Sequence, residues 1–80
     1  MVTAFVLIKI EDKNLPKISE KLLAYDGVKE VHVVAGEYDM IAVIRVADNA
    51  SLSALLTDHV IHTDGILSTK TLISLQSCSE

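Results

Sequence analysis

From Val2 to Glu11 apolar residues fall on both sides of a period-two pattern. Ala4, Val6, Ile8 and Ile10 share one side, and Phe5 and Leu7 share the other before Lys9 and Glu11 turn it polar. Successive side chains of a strand point to opposite faces, so this segment predicts a strand that is apolar on both. The period then lengthens. Ile18, Leu22 and Leu23, with Leu15 and Tyr25 at the ends, recur at helical spacing, while Lys17, Glu20 and Lys21 occupy the intervening polar positions. Asn14 is an N-cap type of residue, Pro16 suits a first helical turn, and Asp26-Gly27 closes the helix. Val28 to Ala35 is β-branched and strand-like, Gly36-Glu37 interrupts it, and Tyr38 to Ala47 forms another strand. In that strand Met40, Ala42, Ile44 and Val46 alternate with Ile41 and Val43, so it too is apolar on both faces. So short a connection makes the pair an antiparallel hairpin. After the turn and cap chemistry of Asp48 to Ser51, the positions Leu52, Leu55, Leu56, Val60 and Ile61 trace a second amphipathic helix, ended by Asp64-Gly65. Ile66 to Gln76 alternates as a last strand, and Ser77 to Glu80 is a fraying tail.

The predicted order is β-α-β-β-α-β, an α+β chain of ferredoxin-like topology with four antiparallel strands and two helices on one face of the sheet. The other face of such a sheet is ordinarily wet and polar. Apolar residues on both sides of the first and third strands predict instead that this face packs against the sheet of a second subunit, or else that the sheet edge curls over it. The 80 residues make one domain, 1–80. A core this small is marginally stable alone, and small domains are usually reinforced by disulfides, a metal or self-association. The single cysteine, Cys78, excludes an internal disulfide, which fits a reducing, cytoplasmic setting and leaves self-association as the reinforcement. No apolar run reaches the length of a membrane span, and Met1 to Phe5 lacks a basic leader or cleavage site.

Half of the residues are hydrophobic, and the formal charge is −4 with only seven Lys and Arg. Lys13, Lys17, Lys21 and Lys29 are interspersed with carboxylates and form no cluster that would neutralise phosphates, so no nucleic-acid partner of its own is expected. Catalysis finds little support either. His59 and His62 stand three apart, with His32, Asp58 and Asp64 elsewhere, but a zinc site needs three or four ligands with orienting partners, and no metal is expected. None of the serines sits in a nucleophile elbow, Cys78 has no framed base, and neither a phosphate loop nor a dinucleotide fingerprint occurs, so no cofactor is expected. The segment with the most chemistry is Val34 to Met40. Gly36 leaves backbone amides unshielded, suited to a carboxylate, while Glu37 and Asp39 offer acceptors to an ammonium group. A zwitterion such as a free amino acid fits that combination; an ordinary β-turn accounts for the same residues.

The run Tyr25-Asp26-Gly27-Val28 with Val31, then Gly36-x-Tyr38-Asp39 and a two-faced apolar strand, resembles the ligand-binding (RAM) domain of the Lrp/AsnC transcription regulators. Asp64-Gly65-Ile66, followed by Ser68, Thr69, Thr71 and Ile73, is similar to the last strand of that family. The resemblance implies dimers that pack sheet against sheet, assembled further into octameric or similar rings, with amino-acid effectors bound between dimers. Transferred by position, the ligand contacts are Gly36, Glu37, Tyr38 and Asp39, with hydroxyls of Ser68, Thr69 or Thr71. Family regulators carry an N-terminal helix-turn-helix domain, whereas this sequence begins at the first strand. The expectation is therefore a stand-alone module, not an enzyme, that senses an effector or associates with full-length regulators. Two other classes share the topology: a dimeric α+β barrel enzyme, which needs a polar titratable cluster on the enclosed sheet face, and an ACT-like amino-acid-sensing domain.

Overall fold

A computed structural model of the chain describes residues 1–11 and 14–79. Lys13 of the scattered lysines and Glu80 of the tail lie outside the described residues. Strand β1 (Val2–Ile10) is followed by helix α1 (Leu15–Leu23), the hairpin β2 (Val28–Val33) and β3 (Met40–Val46), helix α2 (Asn49–Asp58) with a 3₁₀ turn at Val60–His62, and strand β4 (Ile66–Ile73). The sheet order is β2-β3-β1-β4, every neighbouring pair antiparallel, so β1 is central and β2 and β4 are the edges. This is the ferredoxin-like arrangement that the hydrophobic periods predict.

One face of the sheet carries the core. Ala4, Val6 and Ile8 of β1, Met40, Ala42 and Ile44 of β3, Leu22 of α1 and Val60 are fully buried, joined by Ile18, Leu52 and Leu55 from the helices. The Asn14 side chain accepts the Lys17 N–H at 3.4 Å and Pro16 stands in the first turn, so α1 begins where the cap chemistry places it. Asp48 does the same for α2, accepting the Ser51 N–H at 2.8 Å. That contact with the helix amides holds the Asp48 carboxyl below its ordinary value of 3.8.

Several boundaries differ from the sequence reading. Helix α1 stops at Leu23, whose side chain is exposed, and Gly27 at φ +101° turns the chain into β2. Helix α2 stops at Asp58, and tightening of the next turn to 3₁₀ geometry rotates Ile61 out of the apolar stripe into solvent. The hairpin strands are shorter than predicted, ending at Val33 and resuming at Met40, because residues 34–39 form the connection. Strand β4 ends at Ile73 and not at Gln76.

The second face is made by Phe5 and Leu7 of β1 and Ile41 and Val43 of β3, with Leu72 of β4 beside Phe5. Residues directly opposite each other share a face, so Phe5 meets Val43 and Leu7 meets Ile41 across the strands. Val43 is 8% exposed, but Phe5 at 38% and Leu72 at 48% present apolar surface that no element among the described residues covers. Polar groups border this patch: Lys9 and Ser68 at one end, Thr3 and Arg45 at the other, and Glu30 with His32 along β2. His32 Nε2 lies 2.9 Å from Glu30 Oε1, an exposed pair.

Candidate functional site

The hairpin connection projects from the end of the sheet where β3 begins. Gly36 has φ +145°, and a methyl group built on it would meet no atom within 4 Å. The glycine is thus required by the backbone turn and not by crowding, and open space lies where its side chain would stand. Glu37 is exposed and has no hydrogen-bond or ion-pair partner among the described residues. Tyr38 is half-buried, with the Lys9 ammonium 5.6 Å from its ring centroid, within the range of a cation–π contact.

Asp39 is tied into the sheet three times. Its backbone N–H donates to the Ile8 carbonyl at 2.9 Å, and its carbonyl accepts the Val34 N–H at 3.0 Å. Its carboxylate oxygen Oδ2 accepts the Ile10 N–H at 2.8 Å. Beyond the Ile8–Met40 pair β3 has no further residue paired with β1, so the side chain stands where a neighbouring strand would otherwise supply a carbonyl. One of the two hairpin carboxylates is therefore engaged in fastening β1, and the other is free.

Strand β4 brings the hydroxyl residues to the same end. Ile8 of β1 is flanked by Met40 on one side and Thr69 on the other, and Lys9 is opposite Ser68. Two strand spacings separate the start of β3 from β4, about 9–10 Å. Ser68 shares the open face with Lys9, whereas Thr69 and Thr71, paired with the buried Ile8 and Val6, lie on the helix face. Ser68 and Thr69 thus stand at the hairpin end of the sheet, Thr71 lies two residues further in opposite Val6, and the hydroxyl residues divide between the two faces.

A groove lies elsewhere. About 700 Å³ in volume, it opens at the far end of the sheet, lined by Tyr25, Gly27, Lys29, Arg45, Asp58 and His59 among others. The Tyr25 ring stacks on His59 at 5.1 Å between centroids, and its hydroxyl shares a 2.7 Å hydrogen bond with Thr63 Oγ1. Sequence reasoning treated Tyr25 as the end of a helix and missed this contact; only its place before Asp26-Gly27 marked it. Among the described residues no three His, Cys, Asp or Glu side chains gather to hold a metal, and no helix is long and apolar enough to cross a membrane.

A ferredoxin-like module with an exposed, glycine-centred hairpin at one sheet end and a partly uncovered apolar face defines the class. The family model described as "Lrp/AsnC ligand binding domain" matches residues 3–80, and the chain belongs to that family. Among curated relatives, the HTH-type transcriptional regulator FL11 of Pyrococcus furiosus is 33% identical over 75 residues, 94% of this chain and 49% of the regulator. The chain thus spans about half the length of the curated relatives it matches. Among solved structures, TTHA0845 from Thermus thermophilus superposes with a TM-score of 0.90 at 30% identity, with 100% of each chain covered. The feast or famine regulatory protein Rv3291c of M. tuberculosis, solved with L-methionine, superposes with a TM-score of 0.82 at 27% identity, over 100% of this chain and 54% of that one.

Proposed function

We propose that this domain is a cytoplasmic, non-enzymatic effector-binding module. It self-associates through its open sheet face and takes an amino acid between subunits at the hairpin end. Its influence on transcription runs through association with Lrp/AsnC-type regulators and not through contact with DNA of its own. The observation that carries this reading is the hairpin itself: Gly36, with open space where a side chain would stand, leaves its backbone accessible to a carboxylate, and Glu37, without a partner among the described residues, is available to an ammonium. Ser68, Thr69 and Thr71 supply hydroxyls from β4. Tyr38 packs beside the ligand, and Asp39 holds the hairpin that forms the site. The L-methionine bound by the M. tuberculosis relative supports an amino acid as the ligand class, and the net charge of −4 weighs against a direct nucleic-acid partner.

Two measurements test it. Thermal-shift screening against the twenty amino acids identifies a ligand by its stabilisation of the folded form, and calorimetry then compares Glu37→Gln with the parent. Loss of one charge-assisted hydrogen bond weakens binding about ten- to hundredfold; unchanged affinity with assembly intact places the ligand elsewhere. For the sheet face, Val43→Asp puts an unpaired carboxylate into the contact and should halve the mass in solution or unfold the chain, since such a burial costs several kcal/mol. A wild-type chain that runs as a folded 8.7 kDa monomer at micromolar concentration refutes that half of the reading.

A further inference from the structure

The two edges of the sheet differ. Strand β2 is six residues long, is broken by a register shift between Val28 and Glu30, and carries Lys29, Glu30 and His32. A short, bulged, charged edge is one that does not recruit a further strand. Strand β4 is eight residues long, its register shift is confined to its start opposite Lys9 and Ile10, and Lys70 is its only charge. The Ser74 N–H donates to the Thr3 carbonyl, so in the antiparallel register of β4 with β1 residues 68, 70, 72 and 74 turn their backbone groups towards β1. The N–H and C=O groups of Thr69, Thr71 and Ile73 then point away from the sheet, unpaired by any strand among the described residues. Near them Leu67 and Leu75 are 62% and 97% exposed.

We propose that this edge pairs, antiparallel and about a two-fold axis at Thr71, with the β4 edge of a second copy of the chain. The axis follows from the residues. With Thr71 opposite Thr71, Thr69 faces Ile73 and Lys70 faces Leu72 of the other copy, all three outward-pointing residues exchange hydrogen bonds, and the Thr–Thr pair is itself favourable. Leu75 of each copy is carried towards Leu67 of the other. An axis at Lys70 sets two ammonium groups opposite each other, which destabilises the pairing. An axis at Thr69 runs the ladder through the irregular start of β4, and one at Leu72 draws in the tail, which bends at Leu75. A self-complementary strand about a two-fold axis selects a second copy as its partner. The result is a continuous eight-stranded sheet, a contact distinct from the packing of open sheet faces and able to link face-paired dimers into larger assemblies.

Disulfide trapping tests the register. In a Cys78→Ser background, Thr71→Cys places two thiols on residues whose α-carbons lie about 5.5 Å apart in a hydrogen-bonded pair, within reach of a disulfide. Under mild oxidation it should convert to a covalent dimer, while Ser53→Cys, at an exposed position of α2, stays monomeric at the same concentration. Equal rates for the two overturn the proposal. Backbone amide exchange on the unmodified chain is the second readout. Thr69, Thr71 and Ile73 should be protected at micromolar concentration and lose that protection on dilution. Amides that exchange freely at every concentration refute edge pairing, whether or not the sheet-face dimer or the amino-acid site exists.

Discussion

Replacing Asp39 by alanine removes the acceptor of the Ile10 N–H while leaving the chain direction of the hairpin intact. Ile10 is 5% exposed, so its amide has little access to replacement water, and the bond it loses is a short one to a carboxylate at 2.8 Å. Hydrogen bonds to charged groups contribute roughly 1.5–3 kcal/mol, and the part-buried setting of this one brings the expected loss to about 1–2 kcal/mol. For a domain of this size each kcal/mol moves the melting temperature by about 4–8 °C, so Asp39→Ala should melt about 5–15 °C lower. Asp39→Asn keeps an amide oxygen in reach of the same N–H and should lose less than half as much. Circular-dichroism melts and urea titrations of the three proteins, at two protein concentrations to separate assembly from folding, supply the measurement. Co-melting of Asp39→Ala with the parent would show that the carboxylate does not fasten β1, and would return Asp39 to the pool of ligand contacts.

Gly27→Ala and Gly36→Ala separate crowding from backbone strain: a methyl at Gly27 sits 2.9 Å from Val46 Cγ1 and 3.2 Å from Leu55 Cδ2 at φ +101°, whereas at Gly36 it meets nothing. Gly27→Ala should therefore cost about 2–4 kcal/mol in urea unfolding and Gly36→Ala only the strain, about 1–2 kcal/mol. Asp48→Ala should alter the acid limb of the stability curve. The folded-state carboxyl lies below its ordinary value of 3.8, so its contribution is present above that value and disappears as pH falls through the folded one. Melting temperatures of parent and variant measured from neutral pH downwards should thus converge in acid, and a constant gap would refute the cap's charge dependence.

The order of the elements was legible because each strand and helix carries its period in a few residues: Ala4, Val6, Ile8 and Ile10 for β1, Ile18 and Leu22 for α1. The ends were less so. Leu23 and Ile61 continue the helical spacing by one step, yet spacing says nothing about where a helix tightens or stops, and both side chains reach solvent. Of the candidate site, the exposed glycine turn and Glu37 were readable from local composition. The engagement of Asp39 was not, because its partner Ile10 lies 29 residues away and is a backbone amide that carries no sequence mark. The Tyr25–Thr63 bond, across 38 residues, was hidden for the same reason of distance along the chain.

The Asp39–Ile10 bond changes how the Gly36-x-Tyr38-Asp39 element acts. Glu37 and Asp39 stand two apart, and from sequence alone they are equivalent acceptors for an ammonium group. In the fold they are unlike: one carboxylate is committed to a neighbouring strand, and the other projects into solvent without a partner. The proposed binding role needs both functions, since a loop that is free to move spends binding free energy on being ordered, while one already fixed to the sheet does not. Asp39 supplies the fixing, through two hydrogen bonds to β1 and one across the root of the turn to Val34. Tyr38 adds a contact beside it, with the Lys9 ammonium 5.6 Å from its ring centroid. In the proposed site, specificity for the remainder of an amino acid has to come from surfaces outside this hairpin. Ser68 stands on one face of β4 and Thr69 and Thr71 on the other, so the proposed site draws on both faces only where a second subunit closes over the sheet, as the proposed self-association requires.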